Sequence, residues 1–573
     1  MKKPMFKKII LTAMLGGFVC SMAYAQEQRD LNKEVKVKTA YEPKINKSKR
    51  IGELPVVQDT ATFTPSFTYF VQTKPLAVGF SPALIPAARI VGEPLQTINS
   101  HALTLAGGNY STLFGDYRFN NRRSKTSDFG VHLRHYSTNG KLSLENGEKV
   151  KPDWSEQEAD LYGSTYLDDG KISGNIYYKH KGYNYFGSPQ ADEEDEDSVD
   201  LFPYEEQVQN RFGLIAGFES TIEDEEELNY GVGLEYEHFA DDVLVSENDV
   251  LVRADARILR GDAYWSLKST FDYFSTDGLY ALEEAGNTFE RRTLSWNLNP
   301  QYLLKSGNLN LKLGVDILMA MGDNSEAKIY PDVAIDYEVI DGIMSLFTGL
   351  DGKLNMNKYN SIVEENPFIY SGLMVSPTNE KYRFFGGLKG SLSSNSSFKL
   401  SAEYSSIDNQ YFFVNSSLGA TNVDYSGTTY SNKFEVVYDD ISLFRLGAEV
   451  SIGWSDKLEM NSSVWYSKYT MDELEEAWHK PNFEMSVNAN YAFTDDLNFQ
   501  AGVNILGERS VVNDSVTSTL DAVYDLNIGA NYRLSDHFTT FAKVNNLFAD
   551  KYYQWDGYPS QQLNFLLGLK VVL

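Results

Sequence analysis

Apolar and polar residues take turns along most of this chain with a period of two. Over 308–321 the odd positions Leu309, Leu311, Leu313, Val315, Ile317, Met319 and Met321 are apolar, while Asn308, Asn310, Lys312, Gly314 and Asp316 are polar or small. The same beat runs through 252–258, 328–339, 482–493 and 498–505. Successive side chains of a strand point to opposite faces, so the pattern predicts strands that separate two different environments. The final stretch, 562–573, sets Phe565, Leu567, Leu569, Val571 and Leu573 on one face as a predicted membrane face. Hydrocarbon on one side and water on the other is the situation of a transmembrane β-barrel, whose last strand closes it.

The connections carry a second rhythm. Short polar turns at 167–171, 259–262, 305–307, 340–342, 455–457, 494–496 and 534–537 alternate with long links at 137–157, 182–207, 276–287, 360–377, 415–431, 470–480, 508–519 and 550–561. Short periplasmic turns and long extracellular loops are the habit of outer-membrane barrels. The expected fold is therefore all-β, an antiparallel up-and-down transmembrane barrel of about 22 strands over residues 99–573. Residues 432–454 read as one tall strand crossing Asp439-Asp440, and Pro331 is expected near the outer rim, where a missing ladder donor costs least. A soluble sandwich or propeller is disfavoured, because no linker divides 99–573 and no fixed-period repeat marks blades.

The N-terminus changes the picture by adding export. Lys2, Lys3, Lys7 and Lys8 precede an apolar core and the small-x-small site Ala23-Tyr24-Ala25, so residues 1–25 read as a cleaved signal peptide. Seven of the 17 prolines fall in 26–98, which reads as an extended periplasmic or lumenal segment rather than an autonomous domain, the alternative being a floppy export leader. The only cysteine is Cys20, inside the signal, so the mature chain relies on no disulfide. Loss of the signal lysines takes the formal charge from −28 to about −32, which argues against nucleic acid as a partner. The 37 Tyr and 33 Phe suit aromatic girdles at the two membrane interfaces.

Near the C-terminus, Val544-Asn545-Asn546-Leu547-Phe548-Ala549-Asp550-Lys551-Tyr552-Tyr553, the turn Gly557-Tyr558-Pro559 and the closing strand resemble the end of TonB-dependent receptors. The stretch from Val503 to Arg509 is similar to the penultimate hairpin of that family. The resemblance implies a 22-stranded outer-membrane barrel, inserted by the barrel assembly machinery. Two departures stand out: the chain ends in Leu573 where the family presents an aromatic residue, and 26–98 shows no plug pattern. The resemblance thus covers the barrel and reads as a plugless relative.

Candidate chemistry is sparse. The seven histidines include His132 and His135, but on a strand these point to opposite faces, so a shared metal is not expected, and His132 pairs instead with Arg134 toward the bore. No metalloprotease, hydrolase-elbow or phosphate-loop motif occurs, so no enzyme is expected. The run Asp192, Glu193, Glu194, Asp195, Glu196, Asp197 lies in an expected surface loop. Its carboxylates suit Ca²⁺ only weakly without organised spacing, so no cofactor is expected. Glu223–Glu227 is an acidic cluster on the expected periplasmic side, where a basic segment of an envelope partner would dock. Arg122, Arg123 and Lys125 fall in an expected periplasmic turn, either as salt-bridge partners for acids of 26–98 or as a plain solvated turn. Arg253, Asp255, Arg257, Lys312, Asp316, Asp332 and Asp336 are expected to line the lumen. A bore of this size needs filling, by 26–98, by inward-folded loops or by a partner. The expected function is uptake of hydrophilic solutes across the outer membrane. The alternative is a scaffold or accessory barrel in an assembly, secretion or surface-display complex.

Overall fold

The computed structural model describes residues 99–573 apart from 122–123, 145–148, 188–205, 243–244, 280–287, 323–324, 371–372, 374, 416–432 and 514–515. The signal peptide, the segment 26–98, Arg122, Arg123 and the acidic run Asp192–Asp197 lie outside the described residues.

The alternating segments form a single 22-stranded antiparallel sheet, and it closes. The first strand, His101–Gly108, pairs with the last, Asn564–Val572, with Leu105 opposite Leu569 and Leu103 opposite Val571. His101 and Leu573 exchange two backbone hydrogen bonds of 2.9 Å at the end of this seam. Closure leaves no unpaired sheet edge for lipid to meet, which is why a strand protein can span a bilayer at all. Both ends of the barrel chain and the short turns share one rim, the periplasmic one, and the long loops stand at the other.

Side chains sort by face as the alternation demands. Leu313, Val315, Ile329, Ile335, Leu567 and Leu569 are exposed on the outer surface, where lipid rather than water is their solvent. Trp454 and Phe444, both exposed, sit ten residues apart on the outer face of the strand Phe434–Trp454. Ten residues at ~3.3 Å each, tilted by ~40°, climb roughly 25 Å, the height of an apolar belt between two aromatic girdles. Trp265 and Phe271 on the strand Ala263–Leu279 repeat the arrangement with closer spacing.

That same strand Phe434–Trp454 crosses Asp439-Asp440 unbroken, and the irregularity falls on its partner, Ser396–Asn415, between Ile407 and Gln410. The Asp439 carboxylate accepts backbone N–H groups of Asp472, Glu473 and Leu474 at 3.0–3.2 Å, anchoring the next outer loop. Pro331 lies in the outer half of Glu326–Ile340, two residues beyond Val333↔Leu350, where pairing with the following strand, Met344–Asn355, stops. Above that point no backbone ladder joins the two strands, and a side chain reaches across the second of them to the next, Thr378–Ser393. Tyr330 passes over Gly352 and donates to Asn379 Oδ1 at 2.6 Å. A Cβ on Gly352 would stand 2.7 Å from the Tyr330 ring. Pro300 interrupts another ladder, and Asn299 Nδ2, 3.4 Å from the Val315 carbonyl, stands in for the missing donor.

Candidate functional site: a lid across the outer mouth

A bore enclosed by 22 strands is too wide for wall side chains alone to fill. At the outer end it is filled by loops, chiefly 356–377, which joins Met344–Asn355 to Thr378–Ser393. Its helix, Tyr359–Glu365, is the one helix among the described residues. The loop is too apolar to lie in water. Ile362, Val363, Phe368, Ile369 and Val375 are buried, against Tyr183, Phe239, Phe413 and Phe434 from the wall and Tyr558 from the loop 546–563. Phe368 stacks on Tyr558 with ring centres 3.6 Å apart, and Tyr183 and Phe186 meet Phe368 edge-on.

Polar contacts fix this loop to both sides of the barrel. On one side Lys358 Nζ reaches Asp249 Oδ2 at 2.5 Å and Asp272 Oδ1 at 3.1 Å. The Asn360 backbone N–H donates to Glu247 Oε2 at 2.7 Å and its side-chain amide to Glu237 Oε1 at 2.8 Å. Arg211 pairs with Glu364 at 2.9 Å and donates to the Asn360 carbonyl at 2.9 Å. Tyr183 and Arg291 donate to the carbonyls of Pro367 and Val375. On the other side Glu365 accepts from Tyr411 at 2.5 Å and Lys480 at 2.8 Å. Ile369 makes a short parallel bridge to Phe434. A strap tied at both walls in this way spans the bore and acts as a lid.

Electrostatics reinforce the ties. Burial by itself would raise the Glu364 carboxyl, but Arg211, with Lys181 and Lys179 behind it, outweighs burial and holds it below the usual range. Burial would likewise lower the Lys358 ammonium, and Asp272 and Asp249 together outweigh it, so the ammonium is held above its ordinary value. A second layer backs the lid. His479, in the loop 472–482, is buried against Phe434 and Trp555 and donates through Nδ1 to the Phe413 carbonyl at 2.8 Å. Burial pushes the His479 imidazole down to about 3, with Arg509 and Lys480 adding to the effect.

Of the residues expected in the lumen, all seven lie on the face opposite the lipid-facing apolar set. Arg253 pairs with Glu235 at 3.0 Å, and Arg257 lies over the Tyr264 ring at 5.1 Å. Asp255 sits beside Gly231, where a Cβ would stand 2.8 Å from its carboxylate. Lys312 is paired with Asp332, which also accepts from Asn299 at 3.2 Å and Gln301 at 3.0 Å. Asp316 accepts from Asn297, and Asp336 pairs with Lys389. These charges are spread along the wall, and of the seven only Lys312 and Asp332 pair with each other; the structure gathers none of them at the lid. His132 lies between Asp116 at 2.8 Å and Asp160 at 3.5 Å, and His135 contacts Ser137 at 3.1 Å. Below the lid the wall is hydrophilic, with a groove of about 730 Å³ lined by residues such as Ser397, Lys399, Glu449, Asn461 and Asn488. Among the described residues no three metal-ligating side chains converge.

The lid residues escaped sequence reasoning, which took 360–377 for a long link. The signal present was its composition, with Ile362, Val363, Phe368, Ile369 and Val375 in one outer loop.

No protein-family model and no curated protein matches the sequence. Solved structures do share the fold. The FrpB iron transporter from Neisseria meningitidis is 10% identical with a TM-score of 0.64, covering 84% of this chain and 82% of that one. The ferric-catecholate import receptor Fiu from K12 E. coli is 11% identical with a TM-score of 0.62, covering 83% and 82%. The pyoverdine outer-membrane receptor FpvA from Pseudomonas aeruginosa is 12% identical with a TM-score of 0.62, covering 83% and 79%. The barrel thus has the fold of TonB-dependent outer-membrane receptors.

Proposed function

We propose that this barrel takes hydrophilic solutes across the outer membrane and that its outer mouth is gated by the loop 356–377. The observation that carries the reading is the lid itself. A strap tied by ion pairs and hydrogen bonds to both walls closes a bore whose lower wall is lined with serines, asparagines and paired charges. Structural barrels have no need of a hydrophilic channel behind a closed door. The ferric-catecholate import receptor and the FrpB iron transporter, which share the fold, agree with uptake.

A scaffold role is the second reading, and the aromatic core of the lid favours it. Stacked and edge-on rings around Phe368 make a costly seal to break for each passage. Planar-bilayer conductance separates the two. With 357–376 replaced by a short turn, an uptake barrel rises in conductance by roughly tenfold or more over the intact protein, because a wide bore is uncovered. If both forms stay silent, the uptake reading falls and the scaffold stands.

A further inference from the structure

The lid is held at its root by a contact that looks like ligand recognition. Glu237, Asp249 and Phe274 lie on one rung across three adjacent strands, with Glu247 a rung above and Asp272 a rung below. Into this cluster the lid sends one cation. The Lys358 ammonium touches both aspartates and lies 5.2 Å from the centre of the buried Phe274 ring. Two carboxylates and an aromatic face around an ammonium are the parts with which proteins bind amines. Lys358 comes from 109 and 86 positions away in sequence from its two partners, so no local structure dictates the pairing. Asp249 keeps a second buried oxygen, Oδ1, without a hydrogen-bond partner. The Arg291 guanidinium also lies near Phe274, 5.4 Å from its ring centre, and is tied to the lid carbonyl of Val375.

If the lid leaves, Lys358 goes with it and the aspartates are left uncompensated at the entrance of a protein with formal charge −28. Both carboxylates are only half-buried beneath the lid, and the negative field of the whole chain draws cations toward them. An open mouth therefore favours another cation in the same place.

We propose that the Asp249–Asp272 pincer is a binding site for solutes bearing a primary ammonium group, kept filled by Lys358 until such a solute displaces the lid. This rests on the uptake reading and gives it a substrate class. The solute binds only the lid-open state, so it shifts the population toward opening. In the closed state Lys358 acts as a tethered competitor and weakens apparent affinity.

The test uses the full-length protein in detergent, with spermidine as the probe and titration calorimetry as the readout. Lys358→Met removes the competitor, and the expected result is binding about tenfold tighter or more than that of the unaltered protein. Adding Asp249→Asn and Asp272→Asn to that variant abolishes the gain. No gain in Lys358→Met, or a gain that survives loss of both aspartates, overturns the proposal. Hydrogen exchange on the unaltered protein decides independently of any variant's folding. Spermidine, but not sodium chloride of equal ionic strength, speeds exchange across 357–366, where the Asn360 amide is bonded to Glu247. An unchanged rate rejects the site. Bilayers that stay silent while spermidine binds sink uptake alone; bilayers that conduct without binding sink the pincer alone.

Discussion

His479 is a histidine that the folded protein keeps uncharged. Its imidazole sits among Phe413, Phe434 and Trp555 with its pKa pushed down to about 3, whereas a released loop would titrate near the ordinary 6.5. Above 6.5 both states are neutral and pH has no effect. As pH falls below 6.5 the released loop takes up a proton that the docked loop refuses, so docking weakens progressively toward pH 3. Hydrogen exchange over 472–482, corrected for intrinsic rates, is expected to lose protection between pH 7.5 and 5, and His479→Met to flatten the change. Equal protection at both pH values in the unaltered protein would contradict this. Phe368 is the other decisive residue. Phe368→Ala leaves a hole between Tyr183, Phe186 and Tyr558 and is expected to cost the docked lid about 3 kcal/mol, read as faster exchange over 357–370 with the barrel signal unchanged.

Strands were legible in the sequence because each spans one boundary between lipid and water, and a period of two records it directly. The expected strands at 308–321 and 482–493 match Leu309–Gly322 and Phe483–Ala492. Where a strand top is covered on both faces, the alternation dissolves. Tyr411, Phe412, Phe413 and Val414 run on without a polar break because Phe413 packs into the lid and Phe412 against Trp478 and Ile441. The lid was invisible for a related reason: its partners lie on strands far apart in sequence, and one chain shows only that the loop is apolar. Asp439-Asp440, which the expected tall strand crosses, is crossed by Phe434–Trp454 and also anchors a neighbouring loop. Asp439→Ala strips the acceptor from the backbone N–H groups of Asp472, Glu473 and Leu474 in that loop, at a cost of about 2 kcal/mol. Limited proteolysis should then cut within 472–482 while circular dichroism keeps its strand content; an uncut loop would refute the anchoring.

At the scale of the whole molecule, one surface faces hydrocarbon and the opposite one faces a bore. Leu567 on the closing strand belongs to the first and its neighbour Leu566 to the second. Leu567→Arg is expected to cost about 2–4 kcal/mol of folding into liposomes, followed by urea titration, and Leu566→Arg distinctly less. Equal costs would mean that the faces are wrongly assigned. The uncoupled ladder beside Pro331 bears on how such a wall moves. Beyond Leu350 the strand Met344–Asn355 is paired with Thr378–Ser393 alone, and it runs straight into the lid. The Tyr330 phenol, reaching Asn379 across Gly352, is the fastening over that gap. The door is therefore hung like a page bound along a single margin: a backbone ladder holds its root on one side, and on the other a lone phenolic hydroxyl stands where a ladder would run.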